Sequence, residues 1–108
     1  VGLPILINPN LDIYSSSFVP YNMKLYPAYP NPFNPIVKIP FEINQESDVE
    51  LSIFDVQGKK VKELMPPQKM NPGKYTIEWN ASPYPSGMYF YTIHAGTLVE
   101  TNKMILIK

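Results

Sequence analysis

At 108 residues, with 44% hydrophobic and 13% aromatic content, the chain has the size and apolar fraction of a single domain with one compact core. Nine lysines, no arginine and nine acidic residues leave zero net charge, which argues against nucleic acid, a polymer gripped by clustered Lys and Arg. No run reaches the roughly eighteen apolar residues of a membrane helix, and the lack of cysteine removes disulfides and thiol-metal sites while leaving the redox compartment open.

The chain starts at Val1 with no basic n-region and apolar core ahead of it, so the expectation is a processed product or an excised piece. Residues 1–23 read as an extended apolar arm. Leu3, Ile5 and Ile7 lead it, and Leu11 and Ile13 continue it after Asn8-Pro9-Asn10. The arm is too hydrophobic for a solvated linker. Either it adds a strand to its own domain, or it pairs with an edge or groove of a neighbouring copy. Burying five or six such side chains offers on the order of 10 kcal/mol before ordering costs.

Tyr29-Pro30-Asn31-Pro32-Phe33-Asn34-Pro35 follows. Each proline fixes φ near −65°, lacks a backbone donor and pushes the preceding residue away from helical geometry. The segment is therefore a stiff, extended lead-in to a sheet. Phe33 is its natural anchor.

The remainder reads as successive strands. Val37, Ile39, Phe41 and Ile43 alternate with polar residues and with Pro40, which suggests an edge strand or an outward bulge. Val49, Leu51 and Ile53 form the next strand, and Asp55-Val56-Gln57-Gly58-Lys59 a hairpin turn in which Gly58 supplies positive φ. Residues 61–65 return antiparallel, and Pro66-Pro67 with Asn71-Pro72-Gly73 bracket a loop. Tyr75, Ile77 and Trp79 mark another strand, and residues 80–87 are turn chemistry throughout. The last two strands span residues 88–95 and 98–107 around a tight turn at Gly96. Aromatics on both faces of the first suggest an inner strand covered at least in part on both sides. With thirteen prolines, no 3.6-residue periodicity and short strands between turn signals, the fold expected over residues 24–108 is an all-β antiparallel sandwich.

Taken in order, Leu25-Tyr26-Pro27, the proline segment, residues 54–61, Gly73 with Trp79, Ser86-Gly87-Met88-Tyr89-Phe90-Tyr91 and the final Lys103-Met104-Ile105-Leu106-Ile107-Lys108 resemble the C-terminal sorting domain of type IX secretion substrates. The chain is also similar to the immunoglobulin-like domain of flagellar hook-capping proteins. The resemblance covers residues 25–108 and implies an immunoglobulin-like antiparallel β-sandwich of about seven strands behind the extended N-terminal arm, in a secreted or cell-surface bacterial protein whose partner is the outer-membrane secretion machinery. The positions it singles out are Pro30, Asn31, Pro32, Gly58, Gly87, Tyr89, Lys103 and Lys108. Each has a plainer reading: glycines for turn dihedrals, Tyr89 as core, lysines as solvated strand ends. By geometry the final strand is the best recognition handle.

Three functions compete on these grounds. The first is a non-catalytic sorting and surface-attachment module. The second is a filament subunit, a homopolymer assembled head-to-tail by donation of the arm carrying Leu3, Ile5, Ile7, Leu11 and Ile13. The third is a carbohydrate-binding module resting on Trp79, Tyr84, Tyr89 and Tyr91, although aromatics at alternate strand positions are more often core. Enzymatic readings have little to stand on. His94 is the single histidine and lies within a strand, no nucleophile signature is present, and the carboxylates lack metal-loop spacing, so no cofactor or metal is expected.

Overall fold

A computed structural model describes residues 23–108. The arm residues Leu3, Ile5, Ile7, Leu11 and Ile13 lie outside the described residues. Seven strands follow in chain order: β1 (Met23–Leu25), β2 (Ile36–Ile43), β3 (Ser47–Phe54), β4 (Lys60–Met70), β5 (Gly73–Asn80), β6 (Gly87–Ala95) and β7 (Leu98–Leu106). They form two antiparallel sheets, β1-β2-β5 and β4-β3-β6-β7. In immunoglobulin lettering these are A-B-E and C′-C-F-G.

The period-two pattern places the core between the sheets. Val37, Ile39, Phe41 and Ile43 of β2 face Val49, Leu51 and Ile53 of β3 and Tyr89, Tyr91 and Ile93 of β6, all buried. Met104 and Leu106 of β7 and Trp79 of β5 complete it. On β7 only this face is covered, and Ile105 and Ile107 remain exposed.

Two expectations about proline are corrected. Pro40 lies in β2, the middle strand of its sheet, opposite Thr76 of β5. It is tolerated there because its missing N–H faces the side on which β1 has already ended. Tyr26 N still donates to Pro40 O at 3.0 Å, and the reciprocal bond, which proline cannot make, is replaced by Tyr91 Oη donating to Tyr26 O at 2.9 Å. Pro66 and Pro67 are not in a loop but inside β4. Val49 and Leu51 pair with Gln68 and Met65, so three steps of β4 oppose two of β3. The prolines occupy that bulge on an edge strand, where no ladder donor is required of them.

The Asp55–Lys59 turn closes as expected. Asp55 Oδ1 accepts from Gln57 N at 2.9 Å and Lys59 N at 3.0 Å, and Gly58 has φ 83°. A Cβ at Gly58 would meet nothing within 4 Å, so only the backbone conformation opposes a side chain there. Gly58→Ala is accordingly expected to cost about 1–2 kcal/mol, read as a lower urea midpoint at unchanged slope.

Candidate recognition site

One end of the sandwich gathers most of the positions singled out in the sequence. The outgoing ends of β3, β5 and β7 and the incoming ends of β2 and β6 lie there, as the pairings Ile36 with Asn80, Phe54 with Phe90 and Gly87 with Leu106 require.

The proline segment is built into this end. Among residues 29–35 the prolines have no N–H to give, so any ladder must use the residues between them. Phe33 does so: its N–H donates to Ile105 O at 2.8 Å and its carbonyl accepts from Ile107 N at 3.0 Å, a parallel bridge to the end of β7. Asn31 contributes its side chain instead, Oδ1 accepting from Ile105 N at 3.0 Å. The Phe33 ring is 2% exposed and lies 5.9 Å from the Trp79 ring. The edge of the final strand is thus closed by the motif that opens the domain.

Lys108 is fixed at the same place. Its N–H donates to Ser86 Oγ at 3.0 Å and its Nζ to Ser82 O at 2.6 Å, while Asn80 Oδ1 accepts from Ser82 N and Ser82 Oγ. Gly87 follows with φ 153°, a conformation side chains rarely adopt. Two residues on, the Tyr89 hydroxyl donates to Pro85 O at 2.7 Å, the tyrosine corner of an immunoglobulin-type sandwich. A cleft of about 340 Å³ separates residues 85–89 from Asp55, Val56 and Gln57. Asn31, Pro32, Gly87, Tyr89, Lys108 and the turn holding Gly58 therefore share one end. Pro30 leads into it. Lys103 stands further along β7 on the outward face, opposite Phe90.

Burial pushes the Tyr89 phenol above its ordinary value of 10.0, and the charge of Asp55 and the neighbouring Tyr84 act in the same direction. The neutral phenol is the stabilising form. Its contribution is complete below the unfolded value near 10 and is lost as pH rises through the higher folded value. Thermal melts from about pH 9 to pH 11 are expected to show a steeper loss for the native chain than for Tyr89→Phe, which lacks the titrating group.

The other singled-out aromatics are structural. Trp79 is 2% exposed and walled by Phe33, Tyr84 and Tyr89 at ring distances of 5.9, 5.4 and 5.5 Å, and Tyr91 is fully buried. None of Trp79, Tyr89 or Tyr91 offers a ring face for stacking a sugar. His94 lies on the exposed face of β6, Nδ1 3.6 Å from Glu50 Oε2. Among the described residues, no His/Cys/Asp/Glu cluster is suited to a metal ion, and no helix is long and apolar enough to cross a membrane. Tyr91 is more important than its sequence context suggests. Its hydroxyl also accepts from Ala28 N at 2.8 Å and from Asn102 Nδ2 at 3.3 Å, which ties residues 26–28 to β6 and β7.

A seven-stranded sandwich of A-B-E and C′-C-F-G sheets with a tyrosine corner defines an immunoglobulin-like module. Residues 27–108 match the family described as the secretion system C-terminal sorting domain, the type IX kind, and the chain belongs to that family. No curated protein and no solved structure matches the chain.

Proposed function

We propose that this domain is a non-catalytic address for export and surface attachment, read by the outer-membrane secretion machinery at the end of the sandwich where the proline segment closes on the final strand. The observation that carries the reading is the joining of Asn31 and Phe33 to Ile105 and Ile107. Two motifs more than seventy residues apart become one rigid surface. The side chains gathered there tie backbone to backbone: Asn31, Asn80, Ser86, Tyr89 and Lys108 each spend polar atoms on main-chain groups. Such an end presents shape and terminal strand to a partner, which suits recognition better than bond-making.

A reporter fused ahead of residues 23–108 is expected to reach the cell surface of a bacterium with an active type IX pathway, and to be retained when residues 103–108 are removed. That deletion also takes Met104 and Leu106 out of the core. Lys108→Ala supplies the control, since it keeps the core and releases only the hold on Ser82. It is expected to lower export without lowering the melting temperature by more than a few degrees. Equal export with and without residues 103–108 would sink the proposal.

A further inference from the structure

The outward face of the four-stranded sheet carries a feature that the core does not need. Lys60, Phe54, Phe90 and Lys103 stand side by side across β4, β3, β6 and β7, each directly opposite the next. Met88 and Ile105 form the neighbouring pair on the same face. Phe54, Met88 and Phe90 are half-buried and Ile105 is 38% exposed. Among the described residues, the partly buried side chains that pack on the core include none of these four. They form an apolar strip lying on top of the sheet. Lys60 and Lys103 border it, both exposed, and neither is in an ion pair among the described residues.

Further along the face the chemistry changes. Thr92 and Thr101 share a hydrogen bond of 2.8 Å, His94 meets Glu50, and Glu63 stands opposite Ser52. The apolar strip and its two bordering lysines therefore lie in the rows nearest the recognition end, and Glu50 and Glu63 in the rows beyond, where Val99 stands opposite His94 and Lys69 opposite Asp48. A flat anionic bilayer would cover both zones and meet Glu50 and Glu63, and a chain of zero net charge has no long-range attraction to offset that. A narrow partner lying along the lower rows avoids the acids.

Spacing adds a second constraint. Three inter-strand gaps separate Lys60 from Lys103, about 14 Å at the usual sheet spacing, and residues i and i+4 on one face of an extended strand are also about 14 Å apart. We propose that this row is the docking surface for an extended peptide segment that crosses the sheet with carboxylates at positions i and i+4 and an apolar side chain at i+2. The carboxylates meet Lys60 and Lys103, and the apolar side chain lies between Phe54 and Phe90. The assignment of that segment to the secretion machinery rests on the sorting reading above; the surface itself does not.

The test uses the full 108-residue chain, isotope-labelled and titrated with a synthetic peptide carrying glutamate, phenylalanine and glutamate at alternate positions. Amide shifts are expected to concentrate at Phe54, Phe90 and Lys103. Affinity is expected to fall about tenfold in a variant combining Lys60→Glu with Lys103→Glu, and to weaken similarly in high salt. Both lysines are exposed, so the variant folds. Equal binding of a peptide with lysines in place of glutamates, shifts centred on another surface, binding to phosphatidylglycerol vesicles but not to the peptide, or broadening of the same amides with protein concentration alone would each overturn the proposal, the last by assigning the face to a second copy. The reporter fusion separates the two readings. Export of the native domain with normal export of the double variant removes this surface from sorting and leaves the sorting reading intact. Failure of the native domain to export removes the sorting reading, and the titration alone then decides the surface.

Discussion

Tyr91→Phe is expected to destabilise the domain by about 3 kcal/mol, far more than the loss of one hydroxyl from a surface tyrosine. The hydroxyl donates to Tyr26 O and accepts from Ala28 N, both on the segment leading into the proline motif, and takes a longer bond from Asn102. The ring is wholly buried, so no water replaces the oxygen when it is removed. Two main-chain groups then lose a partner, each at about 1–3 kcal/mol. The Tyr26 carbonyl has this need because Pro40 stands opposite it without an N–H. Chemical denaturation measures the loss. A double-mutant cycle with Asn102→Ala is expected to be non-additive, because both changes empty the same network. A loss below about 1 kcal/mol for Tyr91→Phe would mean that residues 26–28 are held chiefly by β2 through the Tyr29–Lys38 bridge.

The contrast between what the sequence displays and what it conceals follows from the range of the interactions. Alternation at Val37, Ile39, Phe41 and Ile43 and at Val49, Leu51 and Ile53 is a local pattern, and those side chains are buried as it predicts. The Asp55–Gly58 turn is equally local, with its bonds spanning two to four residues. Pro40 and the pair Pro66-Pro67 read wrongly because a proline's tolerance depends on what stands opposite its missing donor. For Pro40 that is the end of β1, and for Pro66 and Pro67 it is a bulge, neither of which a single strand's pattern reveals. Phe33 is legible as an anchor because it is the large apolar residue between prolines. Its partner is not, since the parallel bridge to Leu106 spans the whole domain. Tyr91 and Asn102 illustrate the same limit: each looks like an ordinary strand residue until the chain brings Ala28 N and Asn102 Nδ2 to the one Tyr91 hydroxyl. The gathering of Asn31, Gly87, Tyr89 and Lys108 at one end depends on strand order and register.

Phe33→Ala is the change expected to separate the proline motif from the final strand. Truncating a buried phenylalanine in a well-packed core costs about 3–5 kcal/mol. Here the ring also shares a cluster with Trp79, which in turn contacts Tyr84 and Tyr89. The backbone bonds of residue 33 to Ile105 and Ile107 survive chemically but lose the side chain that holds them in place. Prolines on either side leave the segment no alternative ladder of its own. Hydrogen exchange is therefore expected to accelerate most at the amide of Ile107, whose acceptor is Phe33 O, and at Phe33 itself, whose acceptor is Ile105 O. The Ile105 amide should follow, since its acceptor is the Asn31 side chain on the same segment. By contrast Asn31→Ala removes one exposed acceptor and should cost about 1 kcal/mol, with exchange raised at Ile105 alone. If Phe33→Ala lowered global stability while Ile105 and Ile107 kept their relative protection, the proline segment would be a passenger on the core. If those amides open first, the segment is the latch that gives the terminal strand its fixed shape, and export of a fused reporter should fall in step with the opening.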